Sequence, residues 1–101
     1  MDTSQLTRIM KALANENRLE LYIEIAKRSE VDFSTEEECF ISDIMCLLNI
    51  GAPTISHHLK ELVTAELIIV EKRGKYLVAR VNTDTIEEVN KILGLRLKPE
   101  K

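Results

Sequence analysis

Two adjacent histidines, His57 and His58, stand out among the side chains that could do chemistry. They lie in the segment PTISHHLKEL, residues 53–62, just ahead of Lys60. Imidazole and hydroxyl groups can bind a metal ion, contact the edges of DNA bases or form the solvated side of a surface helix. Choosing among these uses requires the orientation of each side chain, which the spacing of the neighbouring aliphatic residues predicts.

The aliphatic spacing in this region predicts a helix over residues 52–64. Its inward face is predicted to consist of Ile55, Leu59, Leu62 and Val63. His57 then points away from the core, and His58 lies near the edge of the buried face. Adjacent residues on a helix do not face each other, so the two rings are poorly placed to share a metal ion. We predict no metal site here, and a DNA-contacting face and an ordinary solvated face both remain open.

A shorter helix precedes this one and is joined to it by a tight turn. Ser42 is predicted to cap its start, and residues 49–51 form the turn that ends it. Cys46 is predicted to point outward, opposite the inward residues Ile44, Leu47 and Leu48. Two short helices joined by a turn that contains glycine are typical of a helix-turn-helix.

The rest of the chain supplies three further helices and a β-hairpin. Helices are predicted over residues 3–14, from the N-cap Asn15 to about Arg28, and over 83–95. Their apolar stripes are Leu6, Ile9, Met10 and Leu13, then Leu19, Tyr22, Ile23 and Ala26, and finally Ile86, Val89 and Leu93. Residues 29–38 are predicted to form a loop, with a short extra strand near 39–41. Two β-rich runs, 67–73 and 76–82, predict the hairpin. The predicted fold is mainly α with a small hairpin (α+β), in the order αααα-ββ-α.

Composition indicates a single small domain over residues 1–101. Apolar residues make up 45% of the chain and charged residues 31%, which is typical of a globular protein. We expect it in the cytoplasm and off the membrane, because no segment has the pattern of a spanning helix or a signal peptide. The net charge is −3, but residues 52–82 carry five Lys and Arg against three Glu, so one face can still meet phosphate.

A cationic tip on the hairpin favours the DNA-contacting alternative. A basic β-loop that follows a helix-turn-helix is a wing, which can contact the DNA backbone or minor groove. The helix and the wing, residues 71–76, together give the predicted DNA-binding set of Ala52, Pro53, Thr54, Ser56, His57, Lys60, Lys72, Arg73 and Lys75.

Three segments resemble the ArsR/SmtB family of winged-helix transcriptional repressors: KALANENRLELY, SDIMCLLNIGAPTISHHLKELVTAELI and EKRGKYLVARVN. The resemblance implies a homodimer built from helices 3–14 and 83–95, a palindromic double-stranded DNA operator and release by an unknown effector. Ser56 and His57 match DNA-contacting positions of the family. Gly51 and Ala52 replace the usual Ser-Gln pair, so a different operator sequence is expected. Arg18 matches a family arginine that we interpret as structural.

The family's usual sensing sites are incomplete in this chain. Phe40 and Ser42 occupy the positions of the Cys-x-Cys metal site of many relatives. The acids Asp84, Glu87 and Glu88 in the last helix lack the histidine that other relatives use for zinc-like ions. We therefore predict no metal and no cofactor. Cys39 and Cys46 remain either idle thiols or candidates for thiol sensing.

The sequence is compatible with functions of different classes. A DNA-binding regulator, most simply a homodimeric repressor, explains the helix-turn-helix and the basic tip together. A winged helix that docks proteins without specific DNA binding is the alternative, and the acidic net charge suits it. An enzyme is not predicted, because no local motif assembles a nucleophile with its base or a phosphate-binding glycine loop.

Overall fold

The computed structural model describes residues 1–32 and 41–94 of the chain. Its helices are α1 (Thr3–Leu13), α2 (Glu16–Asp32), α3 (Ile41–Leu48), α4 (Ala52–Thr64) and α5 (Thr83–Leu93). Strands β1 (Ile68–Arg73) and β2 (Tyr76–Val81) form an antiparallel hairpin between α4 and α5. The predicted winged helix-turn-helix is confirmed, with α4 as the second helix of the motif and the hairpin as the wing.

The core lies where the helix-turn-helix packs against α2 and the hairpin. Side chains from four elements and one connecting residue are almost fully buried there: Leu21, Ile25, Ile44, Leu62, Leu67 and Ile68. Each buried aliphatic side chain stabilises the fold by about 1.5–3 kcal/mol relative to exposure. The core therefore fixes α4 by its inner face and leaves its outer face available.

Helix termini are closed by local hydrogen bonds that the sequence encodes. Asp2 caps α1 through its carboxylate, which accepts from the Gln5 backbone amide at 2.8 Å. In return, the backbone amide of Asp2 donates to the side-chain oxygen of Gln5. Asn15 caps α2 as predicted, because its side-chain oxygen accepts from the Arg18 amide at 3.0 Å. Such caps each contribute about 1 kcal/mol.

The turn between α3 and α4 sets the angle of the motif. Asn49 takes a left-handed φ of 56°. The amide of Ile50 donates to the carbonyl of Met45 at 3.1 Å, and the amide of Asn49 donates to Cys46 at 3.3 Å. This is a Schellman ending, in which asparagine substitutes for the more usual glycine.

Four details of the sequence interpretation are wrong. Helix α2 continues through Asp32, so the predicted loop does not begin at residue 29. Helix α3 begins at Ile41, which places Ser42 inside the helix, and the predicted strand near 39–41 is not formed at Ile41, whose side chain is buried. The remaining residues of that loop and strand, 33–40, lie outside the described part.

The third error is the buried face of α2. Leu19 and Ile23 were predicted to point inward, but they are 37% and 43% exposed, whereas Leu21 and Ile25 are fully buried. Helix α2 has two apolar stripes that share Tyr22, and only the stripe with Leu21 and Ile25 packs into the core. Periodicity alone could not choose, because both stripes satisfy helical spacing.

The fourth error concerns single residues within otherwise correct stripes. These residues are exposed rather than buried: Met10, Leu47, Val63 and Leu93. Each lies beside a buried aliphatic neighbour on its own helix, so the predicted stripe is wider than the face that the core covers. Separately, no helix in the described ranges is long and apolar enough to cross a membrane.

Candidate nucleic-acid interface

The start of α4 presents a polar, solvent-facing end. Gly51 is its N-cap and Pro53 lies in the first turn, where the missing proline N–H costs no helical hydrogen bond. Glycine has no side chain that could cap the amides of this turn, so the partial positive charge of the helix start faces outward. Thr54, Ser56 and His57 follow and are all exposed.

The two histidines have opposite environments. His57 is exposed, whereas His58 is only 6% exposed. Their ring centroids lie 5.9 Å apart, with the ring planes tilted by 50°. In the part of the chain that the structure describes, no group of three or more His, Cys, Asp or Glu side chains could hold a metal ion.

His58 contacts an arginine from another helix. Arg18 Nη1 lies 3.4 Å from His58 Nδ1, and Arg18 Nε donates to the carbonyl oxygen of Ala12 at 2.6 Å. Burial, followed by the positive charges of Arg18 and His57, lowers the pKa of His58 below its ordinary value of 6.5. The bond to Ala12 agrees with the structural interpretation of Arg18, but the sequence did not predict its contact with His58.

The wing carries cations at its tip, together with one acid. The strands pair from Ile68 with Val81 to Arg73 with Tyr76, so Gly74 and Lys75 form a two-residue turn. Gly74 has a φ of 64°, which glycine adopts without strain. Lys72, Arg73 and Lys75 are exposed there.

Glu71 engages two of the wing arginines. Its carboxylate lies 3.1 Å from Arg73 Nη2 and 3.7 Å from Arg80 Nη1. Lys75 Nζ lies 5.9 Å from the centre of the Tyr76 ring. The acid thus neutralises part of the wing charge in the free protein.

Helix α4 and the wing border a common groove of about 320 Å³. Ser56 and Lys60 lie on its helix side, and Val70 and Leu77 form its wing side. Two of the predicted DNA-binding residues therefore face the hairpin across one continuous surface. All nine predicted positions are exposed, so none of them is occupied in holding the core together.

The same fold and sequence pattern occur in known regulators. The family model described as "Bacterial regulatory protein, arsR family" matches residues 34–70, a span that contains α3, the turn and α4. An arsenical resistance operon repressor of Staphylococcus xylosus is 27% identical over 95 residues, which is 94% of this chain and 83% of the relative. The chain is similar over its helix-turn-helix to the arsR family of bacterial regulatory proteins. Both matches are to regulatory proteins.

Further proteins are similar to this chain in sequence or in fold. An arsenic resistance transcriptional regulator of Pseudomonas putida is 27% identical, over 89% of this chain and 71% of its own length. An ArsR-like regulator from Rhodococcus sp. RHA1 has the same fold, with a TM-score of 0.72 at 20% identity over 90% of this chain and 77% of that one. A homodimeric winged helix-turn-helix domain from Mycobacterium bovis gives 0.67 at 21% identity, over 91% and 77%.

The residues considered for sensing are only partly within the described residues. Cys46 is an exposed free thiol, as predicted from its place on α3, while Cys39 lies outside the described residues. Asp84, Glu87 and Glu88 on α5 are exposed, and Glu88 lies 3.8 Å from the N-terminal amine of Met1. The last of these acids thus has a cationic neighbour in the structure.

Proposed function

We propose that this chain is an arsR-family homodimeric repressor that binds a palindromic double-stranded DNA operator through α4 and the wing. The observation that carries the proposal is the shared groove, in which Ser56 and Lys60 of α4 face Val70 and Leu77 of the wing strands. An α-helix fits the major groove of B-DNA, and a loop beside it reaches the backbone or the minor groove. The operon repressors among its relatives support the direction of regulation.

The exposed residues of α4 are assigned different contacts. The amides near Ala52 and Thr54 would face phosphate, because the helix dipole favours an anion at this end. Ser56 and His57 would contact base edges, where a hydroxyl can donate or accept and an imidazole can do either according to its tautomer. Lys60, one turn further along, would contact phosphate as a point charge.

The wing would supply contacts that are independent of sequence. Lys72 and Lys75 bring positive charge to the tip, and each phosphate contact releases condensed counterions from the DNA. Arg73 would exchange its bond with Glu71 for a phosphate oxygen. This exchange favours DNA, because an exposed ion pair contributes only about 0–1 kcal/mol in water.

A second copy of the chain would cover an apolar surface of the terminal helices. Exposed aliphatic and methionine side chains lie on α1 and α5, with further ones on the outer stripe of α2: Met10, Leu19, Ile23, Ile92 and Leu93. Exposed apolar side chains that cluster on one surface mark interaction sites. A two-fold dimer would present its α4 helices to half-sites about 34 Å apart, one turn of DNA.

Selection from random duplex DNA tests the proposal. Bound duplexes are recovered at pH 7.5 over several cycles and sequenced, while light scattering gives the mass of the protein alone and in complex. Recovery of a palindrome by a dimer is the expected result. Recovery of unrelated sequences with weak, uniform affinity would instead favour the docking-module alternative. We also propose that an effector releases the protein from DNA. The site of action is the cytoplasm, where a bacterial operator lies.

A further inference from the structure

The side chains of Arg18 and His58 form a contact between α2 and α4, although the two residues are 40 positions apart in the sequence. Arg18 stands at the start of α2, where Asn15 caps its amide and where its own Nε donates to the last turn of α1 at Ala12. One guanidinium therefore bonds the corner between α1 and α2 and touches the recognition helix α4.

The ring of His58 is held at the centre of α4 by its surroundings. Its side chain is buried between the residues that anchor the helix to the core, and Ile55, Leu59 and Leu62 are buried on the same face. Arg18 is a donor in every accessible state, so Nδ1 of His58 must accept the contact at 3.4 Å. Only the neutral ring with its proton on Nε2 has that free lone pair.

We propose that Arg18 and His58 are positioning residues for the DNA-contacting face of α4, and that protonation of His58 breaks their contact and weakens DNA binding. The inference rests on the proposed function for its consequence, but the contact itself belongs to the free protein. Protonation of His58 would replace its hydrogen bond from Arg18 with a contact between two cations at a buried site. The charges repel there more strongly than they would in water.

The charged groups around His58 favour its neutral form. Arg18 faces it from α2, and His57 lies beside it on α4; both lower its pKa, after the larger effect of burial. The other charged groups of α1, β1 and this part of α4 are not among the causes of the shift: Arg8, Lys11, Lys60, Glu61, Glu71, Lys72 and Arg73. The charged groups that do shift the pKa of His58 are both cations, so protonation of the ring weakens its contact with Arg18.

The displacement would reach DNA through the helix itself. His57 directly precedes His58 in the chain. Ser56 and Lys60 each lie two residues from His58, and all three side chains are exposed. A shift of His58 away from Arg18 rotates or tilts these side chains relative to the wing across the shared groove. Base contacts are sensitive to such movement because their hydrogen bonds need heavy-atom distances near 3 Å.

The test compares two variants at two values of pH. A duplex selected with the natural chain at pH 7.5 is titrated by fluorescence anisotropy at pH 7.5 and 5.5, at fixed ionic strength. His57→Gln serves as the background, because protonation of the exposed ring would itself add attraction to DNA; this change lowers affinity at both pH values. In that background we expect Kd to rise about two- to tenfold at pH 5.5, because the change is limited by the protonated fraction of a ring whose pKa lies below 6.5.

His57→Gln/His58→Gln is the matched variant, since a glutamine carbonyl can still accept from Arg18 but cannot be protonated in this range. Its Kd is expected to change by less than about twofold between the two pH values. An equal pH dependence in both variants would overturn the proposal, as would a Kd in the background that stays constant or falls at pH 5.5.

The free natural chain supplies a second measurement that needs neither DNA nor a variant. In NMR titrations, His58 should titrate below the ordinary pKa of a histidine, and amide exchange along α4 should accelerate as His58 becomes protonated. If His58 titrates with no change in the exchange of α4 or in the Arg18 Nε signal, the positioning role is refuted. Failure to select any duplex at pH 7.5 would refute the proposed function instead, and leave this NMR result to decide the contact.

Discussion

Removal of the wing lysines gives the sharpest electrostatic test of the proposed DNA contact. Lys72 and Lys75 flank the tip turn and are exposed, so the Lys72→Ala/Lys75→Ala variant removes charge without opening the core. Each phosphate contact contributes about 0.9 to the slope of log K against log salt concentration. Two contacts per wing and two wings per dimer should therefore lower the magnitude of the slope by about 3.6.

Arg73 is kept out of this variant because Glu71 engages it at 3.1 Å. The structure predicts a different result for its substitution. Arg73→Ala removes one phosphate contact but also releases Glu71, which then faces the DNA without its nearest cation. The loss of affinity at low salt should exceed that of Lys72→Ala, while the slope changes by about 0.9 per wing in both variants.

The assay is anisotropy of a selected duplex at four or more salt concentrations, with circular dichroism melting of each protein alongside. Lys27→Ala/Lys91→Ala removes two equal charges from α2 and α5 and serves as the control. We expect its slope to equal that of the natural chain, and the unfolding free energy of the wing variant to change by no more than about 0.5 kcal/mol. An unchanged slope for the wing variant would refute the assignment of the wing to DNA.

Four further predictions test individual side chains. His57→Ala should weaken specific binding by about 1–3 kcal/mol with little change in melting temperature, because the ring is exposed; a protein that melts early yet binds normally would contradict the site. Ile25→Ala should cost about 2–5 kcal/mol in urea unfolding, while Ile23→Ala should spare the fold and raise the dimer dissociation constant measured by sedimentation; equal costs would contradict the assigned faces of α2. Glu66→Gly should stabilise the chain by up to about 1 kcal/mol in the same urea assay, because Glu66 has a φ of 63° at the end of α4; destabilisation would show that its side chain holds the turn. His58 has a lowered pKa when folded, so its stabilising contribution is complete above pH 6.5 and is lost as pH falls through the folded pKa; unfolding free energies that are equal above and below that window, after subtraction of the His58→Gln profile, would contradict the shift.

The sequence located α4 well because several local signals agree there. The aliphatic spacing, the proline in the first turn and the preceding glycine all predict a helix over 52–64, and the structure has Ala52–Thr64. The exposed position of His57 follows from the same wheel, since the buried Ile55 and Leu59 fix the orientation of the helix. Local agreement of this kind is what makes a helix predictable.

The face of α2 and the role of Arg18 could not be obtained in this way. Two apolar stripes on α2 satisfy helical spacing equally, and only the position of the other helices decides that Leu21 is buried while Leu19 is exposed. The contact between Arg18 and His58 joins residues far apart in the chain, so no local sequence motif predicts it. Both features are tertiary, and they become visible only when the elements are packed together.

The central claim is that the exposed side of α4 and the tip of the wing contact the same DNA. Mapping of amide and side-chain NMR signals during titration with a selected duplex tests it most directly. The account predicts the largest changes at residues 52–60 and 72–75, with the α1 and α5 signals nearly unmoved once the dimer is formed. Changes concentrated on α1 and α5, with the signals of α4 and the wing unaffected by a bound duplex, would contradict it.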